Sequence, residues 1–388
     1  MMEEWLSALH SGNQVGLLLV DLCKAFDLVN HDILLKKLKL YKCTDKTLNW
    51  FSSYINDRKQ SVSIKDTLSG PMPVNCGVPQ GSILGPLLFI LFINDIFLED
   101  HLNEICLFAD DAVIKKSGLN KNEIRKKLQP CANSTQAWCL KNRMVLSIEK
   151  TNTLYICSKQ KHEKQAADNA NLVKIGEHEL DEVENAKLLG VFIDNTLSWE
   201  KQIGQVKKNV SYKLSLLRRI RKYLPFETRI LFYNYYIKPI IEYCCIIWGK
   251  GSKDNDTIVT KLQKKAARLI LDADPLTPSK VMFKQLNWLP FNDIVKFKQA
   301  CLIYKSKTGQ APEYIQNMFT NVSDRVTYSL RSASHDKLYL PRNHPKSLSF
   351  SGVNIWNTIP DNIRNAETLS SFKIKYNNLL IEQSYYNS

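Results

Sequence analysis

In the first half of the chain, short apolar runs of strand length alternate with longer segments of helical periodicity, which predicts a domain mixing strands and helices. Residues 15–22 form a short apolar run that fits a buried strand and delivers Asp21 at its end. A helical pattern follows through Leu28, Leu34, Leu35 and Leu38. Residues 61–64 alternate as a strand does, Gly70, Pro71 and Pro73 mark a turn, and Pro86 opens an apolar helix running to Ile96. Residues 104–108 and 112–115 read as the two strands of a hairpin whose tight connection carries Asp110 and Asp111. Residues 121–142 have helical length and periodicity apart from Pro130, and residues 144–148 and 153–156 are further expected strands. A polar stretch at 158–171 is expected to be mobile, and a last strand pair ends at 188–193.

The pattern then changes. Ile203, Val206, Val210, Leu214, Leu217 and Ile220 recur at helical spacing, while Lys207, Lys208, Lys213, Arg218, Arg219, Arg221 and Lys222 lie among them without one acidic residue. That predicts a helix with a basic face, which is either a solvated surface or a track for a phosphate backbone. Helical, aromatic-rich segments continue to Trp248, a loop is expected at 249–256, and residues 258–308 resume the helical pattern. Pro312, Pro341, Pro345 and Pro360 divide the tail into short pieces. These changes suggest three divisions, at 1–198, 199–250 and 251–388, with no internal repeat.

Composition narrows the function classes. A chain of 388 residues, 44% of them hydrophobic, can bury a substantial core, and its net charge of +15 favours a polyanionic partner. Charge alone does not separate nucleic acid from an acidic membrane surface. The longest apolar run, 83–93, is interrupted by Gly85 and Pro86 and is shorter than the roughly 20 residues of a membrane helix, so no membrane span is expected. Glu3 and Glu4 in the first ten residues argue against a signal peptide. The ten cysteines show no metal-ligand spacing and read as reduced thiols of a nuclear or cytosolic protein that is not secreted.

Two acid-bearing strand tips are the candidate chemistry. Phosphoryl transfer uses two divalent cations about 3.5–4 Å apart, held by hard carboxylate ligands. Asp21 and the Asp110-Asp111 pair meet that need if their strands are neighbours in one sheet; singly, each would read as an ordinary turn residue.

At these positions the chain resembles the reverse transcriptases of non-LTR retrotransposons, most closely the jockey-like lineage. Asp21-Leu-Cys-Lys-Ala-Phe-Asp27 with Val29, Asn30 and His31 resembles the first palm motif. Asn75-Cys-Gly-Val-Pro-Gln-Gly-Ser-Ile-Leu-Gly-Pro86 resembles the second, and Leu107-Phe-Ala-Asp-Asp111 the third. Met144-Val-Leu-Ser-Ile-Glu-Lys-Thr151 resembles the fourth, with Ser147 where that family more often has Asn, and residues 188–193 resemble the fifth. The later segments Tyr235-Tyr-Ile-Lys-Pro-Ile-Ile-Glu-Tyr243 and Trp356-Asn-Thr-Ile-Pro360 also look like those elements, so the resemblance runs from Val15 to the C terminus.

The resemblance implies an α+β fold: a polymerase palm with an antiparallel sheet backed by helices, a helical thumb at 199–250, and a mainly helical C-terminal region. It implies an RNA-directed DNA polymerase in which Asp21, Asp110 and Asp111 bind two Mg²⁺ or Mn²⁺ ions. RNA template, DNA primer and deoxynucleoside triphosphates would be its partners. Phe26 would sit beneath the incoming sugar and exclude a 2′-hydroxyl, the alternative being a core Phe. Gly77, Gly81 and Gly85, with Pro79 and Pro86, would let the backbone approach template and nucleotide, with Gln80 and Leu22 also touching substrate. Lys150 would assist the departing pyrophosphate, the alternative being a solvated lysine. Lys24 and Asp27 read as an ion pair or a helix-start charge arrangement, and His31 as packing or polar structure. The basic helix would follow the template–primer phosphates, and the cluster Lys261, Lys264, Lys265 and Arg268 equally suits an exposed helix face.

In that family a fingers region with triphosphate-binding basic residues precedes the first motif, and an apurinic-type endonuclease lies further upstream. Little precedes Val15 here, so an N-terminally truncated chain with most of its fingers missing is expected. The alternatives are a non-catalytic nucleic-acid-binding relic or host-retained protein, an inert relic product, and, within the same class, a group II intron or telomerase relative.

Overall fold

The computed structural model describes residues 1–102, 104–161, 172–251, 253–324 and 337–385. Chain contacts divide it into two units, one of residues 12–189 and one of residues 1–11 with 190–388. The division falls between the strands Asn185–Leu188 and Val191–Asp194, and the first eleven residues belong to the second unit. The polar stretch expected to be mobile falls largely on 162–171, outside the described residues.

The first unit is built on a five-stranded sheet in the order Asp181–Glu182, Asn152–Ile156, Gln14–Val20, Asp111–Gly118, Ile105–Phe108. All neighbours are antiparallel except Asp181–Glu182, which runs parallel to Asn152–Ile156. Gln14–Val20 is central, which explains its apolar run: six of its seven residues are buried, Val15, Leu17, Leu18 and Val20 among them. The helix Lys121–Asn142 packs on this strand and on Asp111–Gly118, and runs through Pro130 without stopping. Ile124, Leu128 and Trp138 join Leu18, Val20, Phe89 and Phe92 in one core. One buried cation stabilises this packing: Lys37 donates to the Phe92 carbonyl at 2.6 Å and to Asp95 at 2.7 Å, while the Trp138 indole donates to the same carboxylate at 2.9 Å.

Three local expectations change. Residues 22–30 are irregular, and the helix starts only at His31, where the Asn30 side chain accepts from the Ile33 N–H at 3.0 Å. Residues 144–148 supply a single bridge, Leu22 to Leu146, in place of a strand, because this segment turns back at 147–151. Within the turn expected at 70–73, Met72–Pro73 instead pair with Lys59–Gln60 in a short ladder.

Among its described residues the second unit is helical apart from short extended pieces. Glu200–Ile220 packs against Lys253–Leu271, and Phe291–Lys307 against Leu348–Thr358 and Leu369–Tyr385. Lys253–Leu271 begins inside the stretch expected as loop, and the pattern over 258–308 breaks into three helices. The N-terminal helix Met2–His10 belongs here: Trp5 is 1% exposed, and the Glu3 carboxylate accepts from the Leu348 and Ser349 N–H groups at 2.8 and 3.1 Å, capping Leu348–Thr358. Among the described residues, no helix is long and apolar enough to cross a membrane.

Candidate active site

Strand register places the acids. Val20 ends the central strand opposite Ala112, and Asp21 and Asp111 are the next residues outward from that pair. Phe108 pairs with Asp111, leaving Ala109 and Asp110 as a two-residue turn. Ala109 has φ 53, the left-handed conformation that tight hairpins require at the first turn position. The turn thereby presents Asp110 beside Asp111 at the edge of the sheet where Asp21 emerges, and both are exposed while Asp21 is half-buried.

The Asp21 backbone is fixed from its other side by the fourth motif. Ser147 N–H donates to the Asp21 carbonyl at 2.9 Å, Cys23 N–H donates to the Val145 carbonyl at 2.8 Å, and Asp21 N–H donates to the Thr151 hydroxyl at 3.2 Å. Thr151 is 1% exposed, and its N–H donates to Ser147 O at 2.8 Å, closing the turn that carries Lys150. Lys150 Nζ lies 4.0 Å from Asp21 Oδ2 with its side chain 74% exposed, a loose pair whose direct contribution to stability is small. Leu22 is buried at 6% and turns its side chain into the core, so its backbone is the part able to meet a ligand.

The electrostatics agree with the register. Partial burial raises the Asp111 carboxyl above the ordinary carboxylate range, and the charges of Asp110 and Asp21 raise it further. Acids placed to repel one another this way form a hard-oxygen donor set suited to divalent cations. Among the described residues, however, no three His, Cys, Asp or Glu side chains converge into a ready ligand group, so what unites Asp21, Asp110 and Asp111 is backbone position and the charge that Asp110 and Asp21 exert on Asp111.

The second motif is bound to the first. Gly77 N–H donates to the Val29 carbonyl at 2.7 Å and Val78 N–H to the Phe26 carbonyl at 2.9 Å. The Gln80 amide donates to Asp27 Oδ1 at 2.7 Å, which gives Asp27 a partner other than Lys24. Gly77 has φ 84, and Gly85 approaches the Pro79 carbonyl so closely that a Cβ there would lie 2.4 Å from its oxygen. These two glycines serve the chain's own backbone packing. Gly81, at φ 79, has open space around it. Phe26 is half-buried and stacks on Phe89, with ring centroids 4.4 Å apart.

Arg58 carries no sequence signal, and the partners of His31 and Thr151 within their motifs show only in the fold. Arg58 donates to the Gly77 carbonyl at 2.8 Å, and His31 Nε2 lies 2.9 Å from the same oxygen while its Nδ1 meets Asn56 at 3.1 Å. His31 is therefore polar structure that positions the second motif. Thr151 ends the fourth motif, and its hold on Asp21 shows only in the fold.

In the other unit, Lys207, Lys208, Arg218, Arg219 and Lys222 are exposed. Lys213 lies over the Tyr212 and Tyr236 rings, 5.6 and 5.5 Å from their centroids. Arg221 pairs with Asp272 at 2.7 Å, and Arg268 donates to the Asp274 and Thr277 carbonyls, so these two cations are engaged within the fold.

Residues 4–193 match the sequence signature of the family described as reverse transcriptase (RNA-dependent DNA polymerase). This part of the chain belongs to the reverse transcriptase family. Similar proteins include the probable RNA-directed DNA polymerases of two Drosophila melanogaster elements. Transposon BS is 27% identical over 69% of this chain and 30% of its own length, and transposon X-element 26% over 70% and 30%. The RNA-directed DNA polymerase from mobile element jockey of Drosophila funebris is 23% identical over 88% of this chain and 37% of its own length. The chain thus spans about a third of the length of these curated relatives.

Proposed function

We propose that the chain carries the polymerase centre of a non-LTR retrotransposon and adds deoxynucleotides to a DNA primer on an RNA template. The observation that carries this reading is the register that makes Asp21 and Asp111 the next residues outward from the Val20–Ala112 pair, together with the rise in the Asp111 carboxyl caused in part by Asp110 and Asp21. Asp21, Asp110 and Asp111 would hold two Mg²⁺ or Mn²⁺ ions, which when bound activate the primer hydroxyl and neutralise triphosphate charge. In the reaction the primer 3′-oxygen bonds to the α-phosphorus while the bond to pyrophosphate breaks. Lys150, whose exposed ammonium stands near Asp21, supplies positive charge or a proton to the departing pyrophosphate.

Substrate selection falls to the paired first and second motifs. Phe26 packs beneath the incoming sugar, its ring steadied by Phe89, and leaves no room for a 2′-hydroxyl. Gln80 and Gly81 border the nucleotide, with Asp27 orienting the Gln80 amide, and the Leu22 backbone lines the same side. The palm comprises the sheet and its helices, and the helix Glu200–Ile220 acts as the thumb. Lys207, Lys208, Arg218, Arg219 and Lys222 contact the phosphates, Lys213 reaches them from beside its tyrosines, and Arg221 chiefly braces the helix through Asp272.

The test is primer extension on a primed RNA template with deoxynucleotides and Mg²⁺ or Mn²⁺, comparing the chain with Asp110→Asn. Extension by the parent and none by the variant supports the reading. Failure of both, with salt-dependent duplex binding retained, would leave a nucleic-acid-binding relic. Replacing Lys207, Lys208, Arg218 and Arg219 with Ala should reduce the slope of log affinity against log salt by on the order of one for each phosphate left without its cation.

A further inference from the structure

The helical unit contains a cavity of about 460 Å³, a size suited to a small organic ligand. Its walls combine three chemistries. Trp288, Phe297 and Tyr233 supply aromatic surface, and the Tyr233 and Trp288 rings already stack with centroids 3.9 Å apart. The wall is held in place: the Tyr385 hydroxyl donates to the Trp288 carbonyl at 2.7 Å. Tyr233 also opens a π-helical turn, Tyr233–Ile237, a distortion often found where a helix is shaped for a ligand.

The second chemistry is positive charge. Lys238, Lys298, Lys305 and Lys373 all line the cavity, against the single carboxylate of Glu242. Glu242 takes Lys298 at 2.7 Å and Lys238 at 3.8 Å. No carboxylate among the described residues pairs with Lys305 or Lys373. Both also act on Cys301 in the same wall, where burial pushes the thiol up to about 11 and the charges of Lys373, Lys298 and Lys305 oppose that rise.

The third is an unused acceptor. Gln263 lines the cavity with 0% of its surface exposed; its amide meets the Leu289 carbonyl at 3.3 Å and the Tyr233 hydroxyl, and its Oε1 has no donor among the described residues. A buried carbonyl without a donor is costly, and a ligand that donates to it gains accordingly.

We infer that this cavity binds a nucleoside phosphate, with the base against the Trp288 and Phe297 wall and donating to Gln263 Oε1, and the phosphate on Lys305 and Lys373. The ligand is either a free nucleotide or the phosphorylated end of a nucleic-acid strand. The site stands on the helical unit alone and is independent of the polymerase reading.

Isothermal titration of the full chain with AMP and UMP, in EDTA to suppress metal-dependent nucleotide binding, tests it. Saturable binding is expected, stronger than for inorganic phosphate or adenosine. Lys305→Ala/Lys373→Ala should weaken it at least tenfold with an unchanged circular dichroism spectrum, and Gln263→Leu should weaken nucleotide binding more than phosphate binding. Competition by a 5′-phosphorylated trinucleotide would assign the site to strand ends, and its absence to free nucleotide. No saturable binding at millimolar nucleotide, or binding indifferent to the double lysine variant in folded protein, would overturn the inference.

Discussion

A Cβ on Gly77 would lie 2.7 Å from the carbonyl oxygen of Asp27, closer than real Cβ atoms come to a neighbour. The two residues join the first and second motifs, and the φ of 84 at Gly77 adds a conformational demand that side chains resist. Gly77→Ala should therefore destabilise the chain by roughly 2 kcal/mol or more. It should also displace Phe26 and Gln80, lowering extension activity beyond what stability loss explains. Urea denaturation that shows no loss of stability would remove this account of the junction.

The raised Asp111 carboxyl has a pH signature. The folded chain holds that proton more tightly than the unfolded chain, so the group favours folding least once pH exceeds both its ordinary value of 3.8 and its higher folded value. Asp111→Asn should accordingly stabilise the chain at pH 7, by less than about 1 kcal/mol because the site is open to solvent and salt. The gain should vanish as pH falls below the ordinary value. Thermal unfolding across that range checks both statements, and a variant less stable than the parent at pH 7 contradicts them.

Asp194 shows the opposite sign. Burial opposes its ionisation, but its carboxylate accepts from the Thr196 hydroxyl and from the N–H groups of Thr196, Ser198 and Trp199, at 2.8 to 3.0 Å, which holds it below the ordinary range. It thereby organises the entry to the basic helix Glu200–Ile220. Asp194→Ala should cost about 1–3 kcal/mol at pH 7. The stabilisation is present above pH 3.8 and is lost as pH falls through the depressed folded value, so the deficit should shrink there. An equal deficit at pH 7 and at strongly acid pH would mean that the charge is irrelevant.

Phe26 separates two readings by experiment. Its stacking on Phe89 makes Phe26→Val a packing loss of about 1–3 kcal/mol. As a sugar gate, the same substitution should also raise ribonucleotide incorporation relative to deoxynucleotide by tenfold or more. Comparing single-nucleotide extension rates at a temperature where the variant stays folded decides between them, since an unchanged ratio leaves Phe26 as core.

Local pattern was enough to find the elements that carry chemistry. The apolar run ending at Asp21, the hairpin around Asp110 and Asp111, the helix at 121–142 and the basic helix beyond residue 200 all follow from short-range periodicity and turn chemistry. The quoted motifs gave the reverse transcriptase family in the same way, since such signatures are contiguous in the chain.

What tertiary structure alone decided is every relation between distant segments. That Val20 faces Ala112, that Thr151 holds Asp21, that Arg58 and His31 meet on one Gly77 oxygen, and that Glu3 caps a helix more than three hundred residues away are matters of pairing, which no local window encodes. The same reason explains the misread pieces. Residues 22–30 and 144–148 have helix-like and strand-like patterns, but their backbone groups find partners in each other and in the second motif, and satisfying those buried polar groups outweighs local propensity.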